Sequence, residues 1–267
     1  MPFASFARAA ARFAPRAGPR AALCAVLAAA GCAPLPVIGP VAGSLAPGAP
    51  VPAPVPAPVV RSAEAVPDRL PPRVAARTFA QVVELIEPVA EALCRAQGDV
   101  PDCDYQIVVD DRPGVPPNAF QTVNRQGRPV VGMTLALIAE ARNADELAFI
   151  LGHEMAHHIA GHLDRQREAE GFGQALGVAI GRARGLDRAG VAEFARAGAL
   201  VGARRFGPTF ELEADAIGTR IAAEAGFDPL RGAAFFQRIP DPGDRFLGTH
   251  PPNAARLDAV RRAAAGL

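Results

Sequence analysis

A chain of 267 residues, half of them hydrophobic and with a formal net charge of +1, has apolar material for a folded domain and no global field that would draw it to nucleic acid. All 28 of its Lys/Arg positions are Arg, which together with abundant Ala, Gly and Pro reads as composition bias rather than function. Its four cysteines contain no C-x-x-C pair, so a zinc ribbon or a thioredoxin-like redox site is not supported.

Arg8, Arg12, Arg16 and Arg20 precede the apolar run 21–30, with no acid among them. A basic stretch followed by about ten apolar residues predicts a secretory signal peptide, being too short for the roughly twenty residues of a membrane span. The run ends in Ala29-Ala30-Gly31-Cys32, which resembles a bacterial lipobox. That resemblance implies a lipid anchor at Cys32 and, with Ala33 after it, an outer-membrane lipoprotein facing the periplasm. Residues 32–68 alternate Pro with Ala and Val, which blocks helix and ladder alike and predicts a semi-rigid extended linker. The expected organisation is a signal peptide over 1–31, a linker over 32–68 and one folded domain over 69–267. In an exported protein Cys94 and Cys103 are disulfide candidates; two unrelated buried thiols are the alternative.

Within the folded part, Val82, Val83, Leu85, Ile86, Val89 and Leu93 predict a helix over 78–96, with Pro88 positioned to kink or divide it. Strands are expected over 106–109, 119–123 and 130–134, with Gln126-Gly127 at the turn between the last two. Asn143, with Glu146 as a capping-box partner, predicts a helix reaching about residue 162. The segment 171–206 spaces Gly173, Gly177, Gly181 and Gly185 four apart, a face where another backbone can approach closely. Close packing or a lid is expected there, and a membrane-dipping helix is the competing reading. Further helices are expected over 210–225, 229–238 and 254–265, the last capped by Asn253.

The chemistry concentrates in His153-Glu154-Met155-Ala156-His157. Residues four apart on a helix share a face, so both imidazoles can reach one metal ion with Glu154 beside them as a general base. A catalytic zinc takes three protein ligands and keeps one position open. Position 163, where a longer histidine motif would place a third His, is Leu163; His162 is one residue off that register and His158 points about 100° from His157. Both are read as solvated or locally hydrogen-bonded. In Glu211-Leu212-Glu213-Ala214-Asp215, Glu211 and Asp215 share a face while Glu213 points elsewhere. Glu211 can ligate and Asp215 can accept the free N–H of a ligating imidazole; an acidic solvated face remains a competing reading.

H-E-x-x-H followed by Glu-x-Glu-Ala-Asp, then by Thr249-His250-Pro251-Pro252-Asn253-Ala254-Ala255-Arg256, resembles the HtpX/CAAX-prenyl-protease-like zinc metallopeptidase family, in its soluble periplasmic BepA-like branch. The similarity extends over about 79–263. Where that family often carries Ser-Arg shortly before the ligating Glu, this chain has Gly207-Pro208. The resemblance implies an α+β, mainly helical zincin-type (gluzincin) domain with a small β-sheet. It implies one Zn²⁺ held by His153, His157 and Glu211, with Glu154, His250 and Asp215 as the catalytic and supporting groups. His250 would stabilise the oxyanion or occupy the open zinc position; Arg256 would bind substrate carbonyls or pair with an acid. Polypeptide substrates and a role in envelope protein quality control follow as expectations. A metal-dependent chaperone or assembly factor with a latent protease site is the alternative. No tetratricopeptide-type repeats follow the domain before Leu267, which favours a bare peptidase domain.

Overall fold

The computed structural model describes residues 69–241 and 251–267. The expected signal peptide, Cys32, the linker over 32–68 and His250 lie outside the described residues.

The first helix among the described residues, α1 (Pro72–Gln97), buries Ala75, Phe79, Val82, Ile86, Ala90 and Leu93, a three- and four-residue spacing that lays one apolar stripe on the core. Pro88 sits inside it without dividing it, because burial of that stripe outweighs the one backbone hydrogen bond a proline removes. Gly98, at φ 80°, ends the helix in the left-handed conformation. A disulfide joins Cys94, in the last turn of this helix, to Cys103 across a Cα–Cα distance of 5.7 Å. The end of α1 is thereby stapled to the approach of strand β1.

Among the described residues three strands form the sheet: β1 (Gln106–Asp110), β2 (Ala119–Val123) and β3 (Pro129–Thr134). Their order is β1-β3-β2, with β1 parallel and β2 antiparallel to the central β3. The β2–β3 turn is held by Asn124, whose side-chain oxygen accepts from the amides of Gln126 and Arg128, with Gly127 at φ 89°. Among the described residues β2 pairs with β3 alone and so lies at an edge of the sheet.

Helix α2 (Leu135–Glu140) follows directly, started by Thr134, whose hydroxyl oxygen accepts from the Leu137 amide. Helix α3 (Ala144–Ile159) begins at Asn143, which accepts from the Glu146 amide at 3.0 Å. Only half of the expected capping box forms. The Glu146 carboxylate, 1% exposed, instead accepts from the Arg142 amide and from both terminal nitrogens of Arg238 at 2.6 and 2.8 Å. The Arg238 fork supplies the charged partner that a buried carboxylate needs.

Helices α4 (His162–Ala183) and α5 (Arg188–Arg205) form an antiparallel hairpin. A Cβ on Gly173 would overlap the Gly198 carbonyl, and one on Gly177 the Phe194 carbonyl, so the two backbones touch as the glycine spacing predicts. Large apolar side chains point outward from it, among them Phe172, at 70% exposure, and Leu176. Among the described residues no helix is long and apolar enough to cross a membrane. Helix α6 (Gly207–Glu224) starts on Pro208 in its first turn, where a missing N–H costs nothing. The segment expected as one helix over 229–238 divides into α7 (Pro229–Ala233) and a 3₁₀ turn (Ala234–Gln237). The last helix is α8 (Asn253–Ala264). Asn253 does not cap it: its side-chain amide donates to the carbonyls of Phe236 at 2.9 Å and Ile239 at 3.3 Å, tying α8 to the 3₁₀ turn.

The core lies between α1, β3, α3 and α6. α3 is its axis, burying Leu147, Ala148, Leu151, Met155 and Ala156. It meets α6 at Gly152 and Gly218, where a Cβ on Gly218 would come within 2.8 Å of the His153 amide nitrogen. That contact sets how near the two helices' polar side chains can stand. Gly218→Ala should destabilise the domain by about 1–3 kcal/mol through overpacking, read as a lower denaturant midpoint at unchanged slope. A wild-type midpoint in that variant would show that the crossing has slack.

Candidate metal and catalytic site

His153 and His157 stand one turn apart on α3, and Glu211 and Asp215 one turn apart on α6. The helix crossing brings three of these four side chains to one point. His153 Nε2 and His157 Nε2 are 3.1 Å apart, and the Glu211 carboxylate turns one oxygen to each imidazole at 3.5 Å. Together they form a cluster able to hold a metal ion, with one ligand atom from each within 4.8 Å of the others. A tetrahedral ion with bonds of about 2.0–2.1 Å needs ligand atoms about 3.3 Å apart, so two imidazole nitrogens and a carboxylate at these separations suit zinc in both donor type and spacing.

Asp215 lies behind His153. Its Oδ1 is 2.9 Å from His153 Nδ1, the nitrogen turned away from Glu211. Arg256 on α8 grips the same carboxylate with two donors, at 2.8 and 2.6 Å, and lies over the Phe236 ring at 4.0 Å. Of the two roles open to Arg256 in the sequence, pairing with an acid is the one its contacts fit. Asp215 is fully buried, so this fork and the imidazole carry its charge. Burial alone would push its carboxyl up; the hydrogen bonds from Arg256 and His153 outweigh burial and hold it below the usual carboxylate range.

The second imidazole has a different backing. His157 Nδ1 is 2.8 Å from His162 Nδ1, and His162 Nε2 is 3.2 Å from Glu213 Oε2, which Arg165 Nη1 approaches to 2.8 Å. His162 stacks on Phe210 with ring centroids 4.4 Å apart, and the Arg165 guanidinium also lies over that ring. His162 is 4% exposed, so the solvated reading of it is corrected; it is hydrogen-bonded locally, to His157, and also across to Glu213. Glu213 does point away from Glu211, but towards this histidine. His158 is also buried, its Nε2 2.6 Å from the Asp102 carbonyl oxygen, a contact 56 residues distant in sequence. Spacing within one helix could not reveal either partnership, because both are made to other elements.

Glu154 lines a cleft with Phe120, Gln121, His157, Leu163 and Glu211. A second cleft, lined by Val100, Gln121, Val123, His157 and Leu163, shares Gln121, His157 and Leu163 with the first. Edge strand β2 therefore borders both, beside the metal-ligating cluster.

The two imidazoles titrate in opposite senses in the metal-free protein. Burial pushes His153 down, but hydrogen bonds to Asp215 and Glu211 overcome it and raise the group to about 9. His157 is pushed down to about 3 by burial and by the His153 charge. The buried carboxylates thus keep one proton in the place a metal would take.

A family model described as peptidase family M48 matches residues 76–264, most of the described domain. No curated protein and no solved structure matches the chain significantly.

Below about pH 9 the metal-free His153 is protonated, so binding an ion there must expel that proton. Zinc affinity should therefore rise about tenfold per pH unit towards pH 9 and fall as pH drops. Calorimetry in buffers of different ionisation enthalpy should show about one proton released per ion near neutrality; release of none would contradict the assignment.

Proposed function

The chain belongs to peptidase family M48, a metallopeptidase family, and on that premise we propose that it is a zinc-dependent endopeptidase of the bacterial envelope, in the soluble periplasmic BepA-like branch and with a zincin-type (gluzincin) site. The observation that carries this reading is the convergence of His153, His157 and Glu211 beside Glu154, in a cleft bordered by strand β2. His153 and His157 through Nε2, and Glu211 through its carboxylate, would hold the ion. Zinc, when bound, supplies Lewis acidity to a water molecule and to the scissile carbonyl.

The chain's own residues perform the rest. An extended polypeptide adds to β2 as a further strand, its backbone groups pairing with the free edge of 119–123. This lays the substrate along both clefts and across His157. Glu154 accepts a proton from the attacking water as the water oxygen bonds to the carbonyl carbon. It then delivers that proton to the departing amine nitrogen as the C–N bond breaks. Asp215, held by Arg256, fixes the His153 ring so that Nε2 faces Glu211. His250, by family resemblance, stabilises the developing oxyanion.

The address rests on the sequence: a signal peptide over 1–31, lipidation at Cys32 and a linker over 32–68 that holds the domain of 69–267 off the outer membrane, facing the periplasm. The Cys94–Cys103 bridge supports export, since disulfides persist in oxidising compartments. Envelope proteins that are misfolded or stalled are the proposed substrates.

Glu154→Gln should lower cleavage of an unfolded-protein substrate by about 10²–10⁴-fold and leave zinc content unchanged, measured by metal analysis and a casein assay on both proteins. Full proteolysis in the variant would overturn the general-base role, and absence of zinc from the wild type would overturn the metal assignment.

A further inference from the structure

The two imidazoles of the metal cluster are backed by different chemistry. His153 has a carboxylate on its outer nitrogen; His157 has another imidazole. Two neutral imidazole nitrogens 2.8 Å apart must divide into one donor and one acceptor. If His157 offers its Nε2 lone pair to a metal, its proton sits on Nδ1, so His157 is the donor. The Nδ1 of His162 is then the acceptor, and the His162 proton is on Nε2. That N–H points at Glu213 Oε2, which is anchored by Arg165. The hydrogen bonds from His157 to Glu213 then all run one way, and Arg165 donates to the same carboxylate from its other side.

We infer that His162 is a positioning residue for His157, fixing its ring and tautomer through an imidazole relay that ends on the Glu213–Arg165 ion pair. The inference rests on the metallopeptidase reading, in that His157 must be a ligand.

The local backbone is built for this contact. Five positions apart on an unbroken helix, two side chains point about 140° from one another. Here α3 stops at Ile159, the Gly161 amide donates to the His158 carbonyl at 2.9 Å, and Gly161 takes φ 64°. α4 then starts afresh at His162, which is swung back onto His157. Nothing but hydrogen occupies the left-handed position at Gly161 without strain. Phe210, beside Glu211 on α6, holds the His162 ring flat against it with an interplanar angle of 12°. A ring of the same shape without nitrogen can therefore be placed there.

The test compares His162→Phe, which keeps the stacked ring and removes the acceptor, with His162→Asn, whose side-chain oxygen can stand where Nδ1 stands. Zinc dissociation constants are read by competition with a chromophoric chelator, and unfolding is followed on the metal-free proteins. His162→Phe should weaken zinc about 10–100-fold, and His162→Asn should recover most of that loss. In the zinc-loaded wild type, ¹⁵N spectra of the imidazoles should show His157 protonated at Nδ1 and His162 at Nε2. Wild-type zinc affinity in His162→Phe overturns the inference, as does an equal loss in both variants, which would mark a packing role. Should His162→Phe fail to fold, Glu213→Gln carries the test: a loss of about threefold or more is expected, and none overturns the relay. A wild type that binds no zinc overturns the function and the relay together, and is distinguished from failure of the relay alone by the wild-type measurement.

Discussion

Helices α3 and α6 cross at Gly152 and Gly218, and the distances among His153, His157, Glu211 and Asp215 follow from how closely they do so. A histidine side chain reaches only a short way from its backbone. For two imidazoles on one helix and a carboxylate on another to stand 3.1–3.5 Å apart, the helix axes must approach nearer than ordinary side chains allow. Removing the Cβ atoms at the contact provides that approach. The core residues of α1 and β3, and a second apolar cluster in which Val260 of α8 meets Phe149 of α3, hold the crossing in place.

Closeness has an electrostatic cost, since it collects Glu211, Asp215 and Arg256 where water is largely excluded. Burial penalises each charge alone, and the penalty is offset only by mutual pairing. Arg256 binds Asp215, Asp215 binds His153, and His153 in its protonated form faces Glu211. The metal-free arrangement is thus a charge cluster with a proton at its centre, and a divalent ion meets the same surplus of negative charge. Arg256 belongs to this balance although it lies on α8, more than a hundred residues from the first histidine.

Much of this was legible from residue spacing. The His153–His157 and Glu211–Asp215 pairs are local to single helices, and i, i+4 periodicity displays them. The three strands were visible as β-branched runs between turn residues, and the hairpin's close approach as a glycine repeat. What the sequence concealed was tertiary. His162 and Glu213 are 51 residues apart, and each on its own helix looks like a surface residue. Asn253 looked like a cap, but the carbonyls of the 3₁₀ turn reached its side chain first. The end of α3, expected at about residue 162, falls at Ile159, and the left-handed Gly161 marks the change of direction into α4.

The α4–α5 hairpin inverts the usual order of a water-soluble pair of helices, with glycines at the seam and Phe172, Leu176 and Leu200 outside. Its seam is rich in dispersion contacts between backbones but removes little apolar surface from water, the quantity that dominates folding free energy. The far end is accordingly a region of low local stability, where fraying costs only a fraction of global unfolding. The near end is different, because His162 and Arg165 root it in the polar network behind the metal cluster. Cooperativity in this domain is therefore graded along a single helix, from a tip that breathes to a base that melts only with the core.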